Sequence, residues 1–273
     1  MKSQEELLAL VEQAIVANAW KREPAGLYEP IEYVLSLGGK RIRPCLTLMA
    51  CNLFTEDLSD ALKAALALEV FHNFTLLHDD IMDKAETRRG YATVHKRWNE
   101  NTAILSGDAM LIEAYRLLDK LETPRFREVL GVFNTTADEV CKGQQYDMEF
   151  EKRMDVTLDE YMEMIRLKTA VLLAGSLKIG AIIGGASDVQ AKALYDFGIN
   201  MGLAFQLQDD YLDAFGDPKF FGKAIGGDIL CGKKCFLMLS AYELAKGVER
   251  EKLENLMALD SKTCANEKIS GVI

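Results

Sequence analysis

Histidine is scarce in this chain: His72, His78 and His95 are the only three among 273 residues. None stands with a serine and an acid in a pattern that suggests a catalytic triad, which argues against histidine-led acid–base or covalent catalysis. Proline is nearly as sparse, at five residues, and β-branched runs are few. No convincing strand and no linker long enough to divide the chain emerge. Positive charge is not in excess either. A net charge of −10 and a pI of about 5.0 argue against a nucleic-acid binder, so any anionic ligand must be held by metal or by a local basic cluster. The six cysteines (Cys45, Cys51, Cys141, Cys231, Cys235 and Cys264) follow no disulfide framework, and no second pair completes a zinc site with Cys231-x-x-x-Cys235. Free thiols in a reducing cytoplasm are the expectation. The most apolar stretch, residues 169–185, is broken by Lys178 and rich in Gly and Ala. It falls short of the roughly 18 uninterrupted apolar residues of a membrane span, and close helix packing explains it better. Met1-Lys2 leads into Ser3-Gln4-Glu5-Glu6, a capped acidic helix start rather than a signal peptide.

What is abundant is helical periodicity, punctuated by two copies of one acidic pattern. Leu77-His78-Asp79-Asp80-Ile81-Met82-Asp83 and Leu207-Gln208-Asp209-Asp210-Tyr211-Leu212-Asp213 both read L-x-D-D-x-x-D, each after a long apolar stretch. On a helix, Asp79 shares a face with Asp83, and Asp209 with Asp213, leaving Asp80 and Asp210 at the edge. Like charges at that spacing repel, aspartate is a weak helix former, and a helix C-terminus disfavours anions. A hard divalent cation would relieve all three, and Mg²⁺ commonly takes one or two carboxylates together with substrate phosphates. One copy alone could as well be a solvated helix end; two copies in apolar helices favour metal binding.

Basic motifs accompany the acids. Gly38-Gly39-Lys40-Arg41-Ile42-Arg43-Pro44 reads as a tight positive turn opening a helix, either a diphosphate cradle or an ordinary surface turn. Residues 59–83 read as one long helix and residues 84–101 as a loop carrying Arg88-Arg89-Gly90, whose planar guanidinium forks suit phosphate. Further on come Gly143-Gln144-x-x-Asp147, the capping box Thr157-Leu158-Asp159-Glu160, Lys168-Thr169, and a glycine-rich loop with Lys223, Asp228, Lys233 and Lys234. The expected architecture is all-α: one domain over residues 1–273, a bundle of about ten helices around a central apolar cavity. A substrate with a diphosphate at one end and a hydrocarbon at the other suits both the charged motifs and the apolar bundle.

Taken together, these motifs resemble the trans-isoprenyl diphosphate synthases, in the family's order over residues 30–240. The resemblance implies head-to-tail prenyl transfer between isopentenyl diphosphate and an allylic diphosphate, in a cytoplasmic homodimer using about three Mg²⁺ ions per site. It implies that Asp79, Asp83 and Asp209 bind metal, supported by Asp80, Asp210 and Asp213, and braced by Gln144 and Asp147. Arg88, Lys168, Lys223 and Lys233 would hold the allylic diphosphate; Lys40, Arg43, His72 and Arg89 would hold isopentenyl diphosphate. His72 reads equally well as a core histidine from periodicity alone. Thr169 and Gln206 would offer oxygen atoms, and Phe205 a ring face, to the allylic cation. Phe71, Phe74 and Thr75, one to two turns before Asp79, would set product length, with a C20 product favoured and C15 close behind. In one respect the chain departs from the family pattern: it stops early, after Ile273, so the expectation is that a C-terminal helix is missing. Two alternatives stay open: a class I terpene cyclase, and a non-catalytic subunit of a heteromeric synthase.

Overall fold

Ser3 starts the first helix through a capping box: its hydroxyl accepts from the Glu6 N–H while the Glu6 carboxylate accepts from the Ser3 N–H. The computed structural model describes residues 1–18, 20–216, 226–259 and 265–272. These are overwhelmingly helical, as expected, and form two compact units, Met1–Asn134 with Leu173–Asp196, and Thr135–Leu172 with Phe197–Ile273. No helix of the described residues is long and apolar enough to cross a membrane.

The first unit is built on a helix that is buried nearly all round. Helices α1 (Gln4–Ala17), α2 (Ala25–Ser36) and α3 (Ile42–Asn52) precede α4, Ser59–Met82, in which every residue from Ala64 to Phe71 is buried. A helix apolar on all sides belongs in the middle of a bundle, and α4 packs against both α3 and α6 (Glu100–Leu118). The Gly/Ala-rich stretch becomes α9 (Val171–Ile183), whose Gly180 lies so close to α3 that a Cβ there would stand 2.1 Å from the Thr47 carbonyl oxygen. Close packing, not a membrane, accounts for its composition.

Two expectations change here. Residues 84–101 are not a plain loop: β1 (Thr87–Arg88) pairs antiparallel with β2 (Tyr91–Ala92), and α5 (Val94–Arg97) follows. Arg89 and Gly90 form the two-residue turn, with φ of 54° and 80°, the pair of positive values that a tight hairpin requires. Strands this short leave no alternation to read in the sequence. Arg41, one of the three cations of the positive turn, points inward rather than at a ligand. Its guanidinium donates to Glu69 at 2.7 Å, to Glu12 at 3.0 Å and to the Leu35 carbonyl at 2.7 Å, so one buried cation ties α1, α2 and α4 to the start of α3.

The second unit takes the C-terminal part of α7 (Phe126–Phe150), then α8 (Leu158–Ile165), a π-helical turn at Arg166–Ala170, and α10 (Asp188–Phe215) from Phe197 onward. The Thr157 capping box forms as read. Phe150, Val156, Tyr161, Met164, Ile165 and Leu239 make its core, with Leu203 and Leu207 of α10 packed against them. Shorter helices complete the unit: α11 (Gly227–Cys231), α12 (Phe236–Leu244), α13 (Val248–Ala258) and α14 (Ala265–Val272).

Replacing Arg41 by Met strands Glu69 as an uncompensated buried carboxylate. Urea denaturation should show a loss of about 3–5 kcal/mol, and a loss under ~1 kcal/mol would mean that Arg41 does not anchor the turn.

Candidate functional site

In the first unit the acidic motif divides by direction. Asp79 and Asp83 lie one turn apart at the C-terminal end of α4, where Asp83 caps the helix and its N–H donates to the Asp79 carbonyl at 2.8 Å. Asp80 faces inward and is buried. Nε and Nη2 of Arg88 converge on Asp80 Oδ1 at 2.8 and 2.7 Å, and Nη2 also stands 3.5 Å from Asp79 Oδ2. Burial pushes the Asp80 carboxyl above its ordinary pKa, and the Arg88 cation opposes that push. The hairpin thus delivers a cation to the helix end, where the macrodipole and three carboxylates accumulate negative charge.

The basic residues gather on the same unit. The guanidinium of Arg89 donates to the Gly38 carbonyl and lies over Gly39, where a Cβ would come within 3.1 Å of Arg89 Cζ at a φ of +143°. Only glycine meets both demands. Arg43 Nη1 is 3.1 Å from His72 Nε2. Burial first, then the cations Arg43, Arg89, Arg88 and Arg41, depress the His72 pKa well below its ordinary value. His72 is therefore neutral, and since arginine can only donate, Nε2 is the acceptor and the ring proton sits on Nδ1. Burial lowers the Arg43 pKa to about 10, with Glu69 opposing and Arg89 adding to the fall, and the buried Nε of Arg43 has no protein partner. Lys40 is exposed beside them in sequence. Crowded, desolvated cations of this kind are relieved by an anion.

In the second unit, the Gly143 motif is explained by backbone contact. A Cβ on Gly143 would stand 2.2 Å from the Lys168 nitrogen, so α7 touches the π-helical turn directly. One turn later Asp147 Oδ2 holds Lys168 Nζ at 2.5 Å. Thr169, on the same turn, donates its hydroxyl to Gln206 Oε1 at 3.3 Å. Turns of the π type mark functional sites often enough to be noted, and no sequence pattern announces one. Phe205 is exposed on α10, beside Gln206.

The second acidic motif divides as the first does. Asp210 is buried and accepts from the Tyr161 hydroxyl, from the Phe236 N–H at 2.9 Å and from Gln206 Nε2 at 3.3 Å. Burial raises its pKa, against the pull of those donors. Asp209 is half-buried, and Asp213 Oδ2 accepts from the Asp228 N–H at 3.0 Å at the start of α11. Burial and then Asp213 raise the Asp228 pKa to about 6, while Lys233 opposes them. Lys223 lies outside the described residues. Tyr161 has no signal in the sequence because, on an amphipathic helix, it looks like ordinary core.

Among the described residues no three carboxylate, imidazole or thiol groups converge tightly enough to ligate one cation. The carboxylates of the two motifs stand instead in pairs at helical spacing. An all-oxygen set of two fits Mg²⁺ completed by phosphate oxygens better than zinc or a calcium cage. Of the three residues expected to set length, Phe71 is fully buried, its ring 5.3 Å from Phe133 and 5.6 Å from Phe74. Phe74 is half-buried, 4.8 Å from His78, and Thr75 donates to the His72 carbonyl at 2.8 Å.

Asp228 makes stability pH-dependent with a definite sign. Its folded pKa of about 6 exceeds the ordinary 3.8, so its stabilisation is complete below the lower value and is lost as pH rises through the upper one. In metal-free protein this contributes a fall of ~1–3 kcal/mol in unfolding free energy across that window. Asp228→Asn should flatten the dependence relative to wild type; parallel pH profiles for the two proteins would contradict the assignment.

Comparison with known proteins places these features in context. The polyprenyl synthetase family model matches residues 24–272. A geranylgeranyl diphosphate synthase of Methanosarcina mazei is 43% identical over 228 residues, covering 83% of this chain and 70% of the relative. A short chain isoprenyl diphosphate synthase of Methanothermobacter thermautotrophicus is 41% identical over 247 residues, covering 90% and 76%. A crystal structure of a geranylgeranyl pyrophosphate synthase superposes with a TM-score of 0.93 at 50% identity, covering 100% of this chain and 83% of that one.

Proposed function

Since the chain belongs to the polyprenyl synthetase family, we propose that it is a short-chain prenyltransferase that joins isopentenyl diphosphate head-to-tail to an allylic diphosphate. The observation that carries this reading is the split within each acidic motif. Asp80 and Asp210 are buried and held by protein donors, whereas the one-turn pairs Asp79/Asp83 and Asp209/Asp213 are half-buried or exposed, and these pairs are assigned as the oxygen donors.

In the reaction the allylic carbon–oxygen bond breaks, diphosphate departs, the isopentenyl double bond attacks the allylic cation, and a proton is lost. Mg²⁺ would be held by diphosphate oxygens together with the pair Asp79 and Asp83 in the first unit and the pair Asp209 and Asp213 in the second, and would supply positive charge that stabilises the leaving group. Arg88 neutralises the end of α4 and orients Asp79. Lys168, fixed by Asp147, and Lys233 offer ammonium groups to a diphosphate. Lys40, Arg43 and Arg89 bind the diphosphate of the isopentenyl substrate; neutral His72 holds the Arg43 fork without cancelling its charge. Thr169 and Gln206 place oxygen atoms, and Phe205 a ring face, toward developing positive charge. An exposed apolar stripe on α6 (Ile104, Leu105, Ile112 and Tyr115) supports a homodimer.

The reading is tested on purified chain whose mass, by light scattering, should be that of two copies. Turnover with isopentenyl diphosphate and short allylic primers should vanish in excess chelator and return with Mg²⁺. Asp79→Ala should lower kcat by about 10²-fold or more, whereas Arg43→Ala should mainly raise the KM for isopentenyl diphosphate. Full activity in chelator would sink the mechanism.

Product length follows from the residues before Asp79. The tail runs back along α4, where an isoprene unit of about 5 Å nearly matches the ~5.4 Å pitch, so one floor residue corresponds to about one unit. A lone half-buried aromatic at Phe74 with the small Thr75 supports a C20 product, in keeping with the M. mazei relative's name. Phe74→Ala should lengthen the product and Thr75→Phe shorten it, as read by chromatography; unchanged products in both would place the floor elsewhere. Phe71 belongs to the core, and its truncation should cost ~3–5 kcal/mol of stability.

A further inference from the structure

Asp210 is a buried carboxylate whose oxygens are both engaged by protein. Its side chain sits on α10, and two of its three partners come from other elements of the unit. The Tyr161 hydroxyl of α8 and the Phe236 N–H at the start of α12 both donate to Oδ2, the latter at 2.9 Å. With Oδ2 occupied, Oδ1 faces Gln206, one turn earlier on the same helix, and accepts from its Nε2 at 3.3 Å. Tyr161 is 2% exposed and Asp210 4%, so water does not compete for these positions.

The consequence falls on Gln206. A primary amide has two ends of opposite polarity and nearly equal shape, and only its hydrogen-bond partners decide which way it points. Asp210 meets its neighbours as an acceptor on both oxygens, with Oδ2 taking the Tyr161 and Phe236 donors and Oδ1 taking Nε2, so it admits the NH₂ end alone. The carbonyl end is then turned to the π-helical turn, where Oε1 accepts from the Thr169 hydroxyl at 3.3 Å. That bond uses the Thr169 proton and leaves the lone pairs of its own oxygen available. Two oxygen atoms are thereby presented side by side, where a flipped amide would present N–H groups beside positive charge.

We propose that Tyr161 is a positioning residue for prenyl transfer: by holding Asp210 it fixes the Gln206 amide with its oxygen, not its NH₂, beside Thr169 and toward the allylic cation. The proposal rests on the prenyl-transfer reading above, and it makes Asp210 an orienting group rather than a cation ligand. The effect belongs to ionisation of the allylic substrate. Binding of either diphosphate and of the cation does not depend on it.

The test compares wild type with Tyr161→Phe, Asp210→Asn, Gln206→Ala and the Tyr161→Phe/Gln206→Ala double variant. Tyr161→Phe should keep its helical circular dichroism. Its kcat should fall about tenfold, the loss expected from one hydrogen bond to a charged acceptor. Both diphosphate KM values and the Mg²⁺ concentration for half activity should stay within about twofold. Asp210→Asn, which can donate and so permits the flip, should lose more kcat with the same Mg²⁺ requirement. In the Gln206→Ala background, Tyr161→Phe should cost nothing further. Independently of turnover, the Gln206 side-chain NH₂ signal, assigned by its loss in Gln206→Ala, should exchange slowly with solvent in wild type and about tenfold faster in Tyr161→Phe. A raised Mg²⁺ requirement in Tyr161→Phe, an undiminished loss in the Gln206→Ala background, or unchanged amide exchange overturns the proposal. Absence of prenyl transfer by wild type would instead overturn the functional reading, while the exchange measurement still decides whether Tyr161 fixes the amide.

Discussion

Two buried carboxylates on α4, each answered by one arginine from another element, set the geometry of the first unit. Glu69 receives Arg41 at 2.7 Å and Asp80 receives Arg88 at 2.7 Å. A carboxylate left unpaired in such surroundings costs several kcal/mol, so neither arginine is free to take another position. Arg41 carries the turn of residues 38–43 with it, and Arg88 carries the hairpin. Those two segments carry Lys40, Arg43 and Arg89, while Asp79 and Asp83 lie at the end of α4, where Arg88 of the hairpin meets Asp79 and Asp80. Such pairs add little net stability compared with a well-packed apolar core; what they determine is where the chain goes.

The second unit solves the same problem with neutral donors. Asp210 corresponds in its motif to Asp80, yet a tyrosine hydroxyl, a backbone N–H and a glutamine amide satisfy it, with no cation among these donors. A carboxylate at the N-terminus of α12 also gains from that helix's dipole. The two motifs are alike in sequence and in the direction of their middle aspartate, and they differ in how that aspartate is paired. Arg88 both pairs with Asp80 and reaches Asp79, so it adds charge to the first cluster, whereas Tyr161 orders its cluster without changing the charge.

Glycines mark the places where backbone must touch backbone or a guanidinium must lie flat. Gly143 lets α7 meet the turn that carries Lys168, and Gly39 leaves room for Arg89. In both cases the residue with chemistry is long and cationic, and the glycine that positions it has no chemistry of its own. Strain accompanies function here as well. Arg41 and Arg89 are both held at positive φ, at 46° and 54°, and both are retained by hydrogen bonds of their guanidinium groups.

Helical spacing is local, and most of what is legible in the sequence follows from it. Period 3.6 decides which residues share a face, so the one-turn pairs Asp79/Asp83 and Asp209/Asp213, the long buried α4 and the all-α architecture are properties of the sequence alone. Capping boxes at Ser3 and Thr157 are local in the same sense and form as read. The hairpin at residues 87–92, the inward turn of Arg41, the π-helical turn at Lys168 and the hold of Tyr161 on Asp210 are not legible in that way. Each depends on a partner between 21 and 49 residues away, as in Lys168 with Asp147 or Tyr161 with Asp210, or on strands too short to show a period. Local spacing determined which side chains share a face; tertiary packing alone decided which of them are consumed as structural partners, because a buried charge such as Glu69 or Asp80 is costly without a donor beside it.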